Sequence, residues 1–211
     1  RMAVAPIEAP ARPRVFYGWY IVAAAVVAQL VASSTQAYAS GVFLTPMTKD
    51  LGWSRESFSA VQTVSTVVTG LLGIGIGSTL DRRGPRLLMI LGAAIAGLSL
   101  MATSLVQEPW QFYLVRGVAS AAGTAMIGNL VVNVTLSKWF VARRGFAIAI
   151  AAAGISMGGV VAVPLALFID AYGWRLAWVL LGALVWVCMV PPILVVLSLI
   201  HISEPTRRRG I

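Results

Sequence analysis

The chain has 211 residues, of which 59% are hydrophobic and 11% charged, and its mean hydropathy is +0.87. A soluble domain of this length cannot hide so much apolar surface, because about half of its residues would face water. The net charge of +9 does not signal nucleic acid, since the basic residues form small clusters between apolar runs, with no basic face and no aromatic stacking pattern.

Residues 1–14 are rich in Ala, Pro and Arg and read as a disordered cytoplasmic tail. The first predicted helix runs from about Gly18 to Thr45 and is closed by Pro46. Tyr17, Trp19 and Tyr20 at its start form an interfacial aromatic belt. Ala37-Tyr38-Ala39 resembles a signal-cleavage site, but the apolar run from Val15 to Leu44 exceeds a signal core and five more spans follow, which favours retention. A polar loop, Met47 to Ser57, precedes the second helix, Phe58 to Leu80, with Ser54 and Ser57 placed to cap it. The third helix is Leu87 to Val106, and Gln107-Glu108-Pro109 forms an outer turn. The fourth spans about Trp110 to Leu136, and the fifth Gly145 to Phe168. Asp170 to Arg175 form a short turn. The sixth helix, about Trp174 to Val196, carries a kink signal at Pro191-Pro192.

These runs are long enough to cross a ~30 Å hydrocarbon core. The fold class is therefore all-α integral membrane, with six transmembrane helices in one bundle over residues 15–196. Lysine and arginine counts fix the orientation. The tail and the even-numbered loops hold nine, and the odd-numbered loops hold three: Lys49, Arg55 and Arg175. Both termini then lie in the cytoplasm, and the expected location is a bacterial inner membrane.

The turn Gly77-Ser78-Thr79-Leu80-Asp81-Arg82-Arg83-Gly84-Pro85-Arg86 resembles the signature loop of the major facilitator superfamily, through Gly77, Asp81, Arg82, Gly84 and Arg86. Gly77 is expected to end a closely packed helix, and Asp81, at a helix C-terminus, needs a cationic or donor partner. The resemblance implies a cytoplasmic latch steadying the outward-facing state. Arg116 with Gly123 resembles the superfamily's arginine motif, with Ser120 where glycine is usual. Trp139-Phe140 with Arg143-Arg144-Gly145 resembles its loop before helix five, and Gly173-Trp174-Arg175 with Trp178 and Gly182 resembles its usual start of helix six. Gly145, Gly154 and Gly158 match part of an antiporter glycine pattern, with Gly159 in place of its proline. Tyr17-Gly18-Trp19, Gly41-Val42-Phe43 and Gly52-Trp53-Ser54-Arg55 resemble the monocarboxylate-transporter and oxalate/formate-antiporter group.

The resemblance implies one six-helix half of a secondary transporter of small organic anions such as monocarboxylates. It works by alternating access, possesses a second six-helix half, and is driven by protons or another gradient. A multidrug or metabolite efflux antiporter and a six-helix membrane protein that moves nothing are the alternatives. No enzyme is expected, because no nucleophile–base constellation appears. No cofactor is expected: there is no nucleotide-binding loop, and one cysteine, Cys188, with one histidine, His201, makes neither a disulfide nor a metal cluster. Cys188 reads as a small packing residue.

Arg116 is the sharpest candidate for substrate or coupling, because an arginine inside a membrane is costly and functional by default. Gln29, Ser33, Gln36 and Ser40 share one face of the first helix at spacings of four, three and four, with Tyr38 beside that stripe. Such a stripe lines a cavity or a helix contact. On the second helix, Gln62, Thr66, Thr69, Gly73 and Gly77 share a side. Gly73 with Gly77, and Gly154 with Gly158, form small-xxx-small pairs for close helix packing. Asn129 and Asn133 read as interhelical hydrogen bonders. The stretch from Leu197 to Arg207 resembles the translation of a transposon-derived sequencing adapter. Residues 197–211 are accordingly expected to be an artefactual tail, with the native chain continuing past about Val196.

Overall fold

The computed structural model describes residues 18–140 and 143–203. The expected tail at 1–14, Tyr17, the side chains of Asp81 and Trp139, and residues 204–211 lie outside the described residues. Among the described residues there are six helical spans long and apolar enough to cross a membrane and no strand. They are α1 (Trp19–Leu51), α2 (Arg55–Leu80), α3 (Pro85–Thr103), α4 (Pro109–Ser137), α5 (Arg144–Tyr172) and α6 (Trp174–Pro191). A backbone in lipid must satisfy its own polar groups, and helices do so within one segment.

Several boundaries differ from the sequence reading. Pro46 does not close the first helix, which runs on to Leu51. Proline removes only one donor there, and the chain stops instead at Gly52, whose φ of +67° is left-handed. The loop therefore shortens to 52–54. Ser54 caps the next helix, accepting from the Ser57 backbone N–H at 3.1 Å. That helix continues through Gly77 to Arg83, so Gly77 does not end it. The turn is the single residue Gly84, at φ +76° and ψ 171°, followed by Pro85 at the first position of the next helix. The predicted turn from Asp170 to Arg175 contracts to Gly173, at φ +86°. The last helix runs unbroken through Pro191 and Pro192 to Ser203.

The spans α1 and α4 are not uniform. Ser34–Tyr38 of α1 and Tyr113–Ser120 of α4 are π-helical, and α4 breaks at Gly128. In α5, Gly158–Val161 tightens to 3-10 geometry. None of these irregularities is signalled by apolar periodicity.

The helix α3 packs against α6 and α4, and α1 packs against α5 and α6, while α2 meets mainly α4. In their most apolar stretches α1, α3 and α4 are half buried, against 17% for α2 and 22% for α5. The last two are thus the peripheral helices of this bundle. Close approach rests on small residues, as expected where lipid gives no hydrophobic drive to helix association. A Cβ on Gly92 would lie 2.8 Å from the Gly123 carbonyl oxygen, and one on Gly182 would lie 2.6 Å from that of Gly97. Every buried side-chain nitrogen and oxygen among the described residues has a hydrogen-bond partner. Many are met locally: Thr35, Thr103 and Thr124 each donate to a carbonyl four residues back.

Candidate substrate site around Arg116

Arg116 sits in the π-helical segment of α4 and is 2% exposed. It faces the π turn of α1. A π turn offsets the regular hydrogen-bond ladder, and here Ala39 donates to Ser34, five residues back. Beside that turn the Thr35 and Gln36 carbonyls both accept from Arg116 Nη2, the latter at 3.4 Å. Arg116 Nη1 donates to Gln36 Oε1 at 2.6 Å and to Ser120 Oγ at 3.0 Å. Ser40 Oγ lies 3.5 Å from Nη2. The guanidinium carbon stands 5.5 Å from the ring centre of Trp178 on α6.

Each of these partners is neutral. A buried ion left without a counter-charge costs several kcal/mol. The fork geometry of arginine offsets this through hydrogen bonds, each worth ~1.5–3 kcal/mol to a charged group, and through the Trp178 face. The surrounding shell is stiff. Trp178 is fully buried, stacks on Phe43 with ring centres 3.8 Å apart, and donates to Met47 Sδ at 3.4 Å. Ser65 Oγ of α2 approaches the Arg116 carbonyl at 3.5 Å.

Two cavities flank this cluster. One of about 490 Å³ lies toward the start of α2 and α4, lined by Ser40, Phe58, Gln62, Ser65, Phe112 and Arg116 among others. Another of about 580 Å³ lies toward the opposite end of the same helices, lined by Gln29, Ser33, Gln36, Thr69, Gly73, Asn129 and Asn133 among others. The polar stripe of α1 thus runs along both, and it also bonds across helices. Gln29 Nε2 donates to Asn129 Oδ1 at 3.0 Å, and Asn133 Nδ2 to the same oxygen at 2.7 Å. Ser33 donates to the Leu30 carbonyl. Tyr38 is not in the cluster: its ring faces Gly159 on α5, where an added Cβ would lie 3.1 Å from it.

The glycine pairs part company. A Cβ on Gly154 would collide with the Val26 carbonyl oxygen, and one on Gly158 with Ser33 Oγ, so α5 rides directly on α1. Gly77 has open space around it, and Gly73 meets only Leu130 at 4.0 Å. In the signature turn, Arg82 and Arg86 are exposed.

A family profile, Major Facilitator Superfamily, aligns with residues 17–210. The chain belongs to the major facilitator superfamily. Curated relatives within the superfamily include the Fujikurins efflux protein of Gibberella fujikuroi, 38% identical over 127 residues, which are 56% of this chain and 27% of that protein. Human Monocarboxylate transporter 1 is 29% identical over 179 residues, 82% of this chain and 35% of that protein. Human Monocarboxylate transporter 11 is 30% identical over 138 residues, 64% of this chain and 27% of that protein. The chain spans about a quarter to a third of the length of these relatives. Superfamily membership and six apolar helices make this a multi-pass integral membrane protein of a transporter family, not of an enzyme family. The bacterial inner membrane expected from the sequence has no counterpart among these relatives, which are fungal and human.

Sequence reasoning singled out Arg116 but did not join it to four of its neighbours, two of which, Ser120 and Trp178, it named only within motifs. Ser120 was legible as the residue four positions on, which shares a helix face. The Thr35 carbonyl, Ser65 and Trp178 were not, because a π turn and helix adjacency leave no mark in local spacing.

Proposed function

We propose that this chain forms one six-helix half of a secondary transporter that carries small organic anions such as monocarboxylates by alternating access. The observation that carries this reading is the buried Arg116, whose partners are all neutral and which borders a 490 Å³ cavity. An anionic ligand supplies the charge that the bundle withholds, in a dry setting where such a pair is strong. Gln36 and Ser40 flank the ligand, and Gln29 and Ser33 extend the polar path. Tyr38, which faces α5, takes a place at the edge of that path. Secondary transporters bind near the midplane between repeats, so a second six-helix half supplies the opposite wall. Gly73 on α2, which meets Leu130 at 4.0 Å, gives that half a close-packing face.

In this reading both termini are cytoplasmic, because lysine and arginine concentrate on that side. Gly77, Asp81, Arg82, Gly84 and Arg86, at and beside the Gly84 turn, form the cytoplasmic gating element, and protons are the coupling ion. Gly154 and Gly158 hold α5 on α1 as the bundle rocks.

The test is uptake of radiolabelled lactate by proteoliposomes holding the carrier that contains this segment, under an imposed proton gradient. Uptake that is saturable and lost in Arg116→Gln supports the reading. Uptake unchanged in Arg116→Gln overturns it. A metabolite efflux antiporter is the second reading, favoured by the likeness to the Fujikurins efflux protein. Competition by lipophilic metabolites, with none by monocarboxylates, selects that alternative.

A further inference from the structure

Arg116 and Gln36 stand on opposite sides of one contact. Arg116 lines the 490 Å³ cavity and Gln36 lines the 580 Å³ cavity, and neither lines the other's. Their 2.6 Å hydrogen bond is therefore part of the wall between the two. The geometry points to Gln36 as a resident acceptor on Arg116 that a carboxylate ligand displaces, so that anion binding in the first cavity loosens the partition to the second. This rests on the reading of Arg116 as an anion site.

Three features argue for exchange at Gln36 in particular. Its amide oxygen is a neutral stand-in for one carboxylate oxygen. A carboxylate makes a charge-assisted, two-point contact with a guanidinium and outcompetes it, whereas a neutral amide ligand gains nothing by the swap. The site therefore discriminates an acid from its own amide. Next, Gln36 is only half-buried, while the other strong partners are less free to leave. Ser120 is fully buried and the Thr35 acceptor is main chain. Ser40, also half-buried, lines the first cavity 3.5 Å from Nη2 and marks the place of the second ligand oxygen. Finally, the freed Gln36 amide is not orphaned. Gln29, Asn129 and Asn133 line the cavity it already faces and offer amide partners.

Equilibrium dialysis of the carrier that contains this segment, purified in detergent micelles, with radiolabelled benzoate and with benzamide, tests the exchange. Gln36→Met keeps length and removes the acceptor, and Gln36→Ala takes its place should Gln36→Met lose helical circular dichroism. Either variant is expected to bind benzoate roughly tenfold more tightly than the wild type, the scale of one hydrogen bond to a charged group, with benzamide unchanged. Gln36→Glu places a permanent carboxylate on Arg116 and is expected to weaken benzoate by about tenfold or more. If Gln36→Met and Gln36→Ala bind benzoate no more tightly than the wild type while Arg116→Gln weakens it, the exchange is refuted and the anion site stands. If Arg116→Gln binds benzoate as the wild type does, the anion site itself fails. Retention of benzoate by none of these proteins overturns both.

Discussion

Arg116 and Arg175 show two ways of keeping an arginine in one bundle. Arg175, at the start of α6, is about half exposed and lies 3.4 Å from Asp50 at the end of α1, whose side chain is equally exposed. It also sits over Trp174, 4.5 Å from the ring centre, and the Trp174 indole donates to the same carboxylate at 3.0 Å. Arg116 is 2% exposed and has no carboxylate among its partners in the described residues. The acid is present where water already solvates the charge and missing where water is excluded. An exposed pair contributes little, ~0–1 kcal/mol, so the Asp50 contact staples two helix ends. A buried arginine held only by neutral groups is poised for a counter-ion from outside, which is a property of a binding site rather than of a staple.

The largest effect expected from breaking this contrast is at Arg116. Arg116→Gln is expected to weaken benzoate binding by about thirtyfold or more, the consequence of removing one partner of a desolvated charge pair at ~2–5 kcal/mol. Dialysis on the purified carrier that contains this segment reads this directly. Arg116→Lys keeps the charge without the planar fork and is expected to recover part of the loss. Next in size is the α1–α5 seam that carries the polar stripe. Gly154→Ala drives a methyl into the Val26 carbonyl and is expected to cost about 1–3 kcal/mol, seen as earlier thermal unfolding in detergent. Gly77→Ala, made in open space, is expected to leave the midpoint unchanged or raise it by up to ~1 kcal/mol, since alanine is the better helix former. A loss at Gly77 as large as that at Gly154 would remove the distinction between the two pairs. The smallest effect belongs to the exposed staple. Asp50→Asn is expected to cost about 0.2–1 kcal/mol and to lose its influence at high salt. A larger, salt-independent cost would mean that Asp50 and Arg175 are as desolvated as Arg116.

Other features of the bundle divide along the same line. Gln29, Ser33, Gln36 and Ser40 were legible as one polar face because their spacing follows the helix period. That the face splits between two cavities, with Gln36 bridging to Arg116, was not legible, because it depends on where α4 crosses α1. The glycine pairs were equally legible and turned out unlike, since a small-xxx-small spacing marks an available groove and does not say what fills it. Pro46 misled as a helix stop. One missing donor does not end a helix whose other backbone groups stay bonded, and the stop came at a left-handed glycine.

The sequence by itself determined the helical class, the number of spans, the superfamily and the arginine at its centre. Those follow from run length, apolar composition and short motifs, which act locally along the chain. Only the tertiary structure decided that Arg116 is met by a π turn of α1, by Ser120 and by the face of Trp178, with no acid at hand among the described residues. Such partners come from helices 80 or more residues apart in places, and their meeting is set by packing angles and backbone irregularities that no residue spacing encodes.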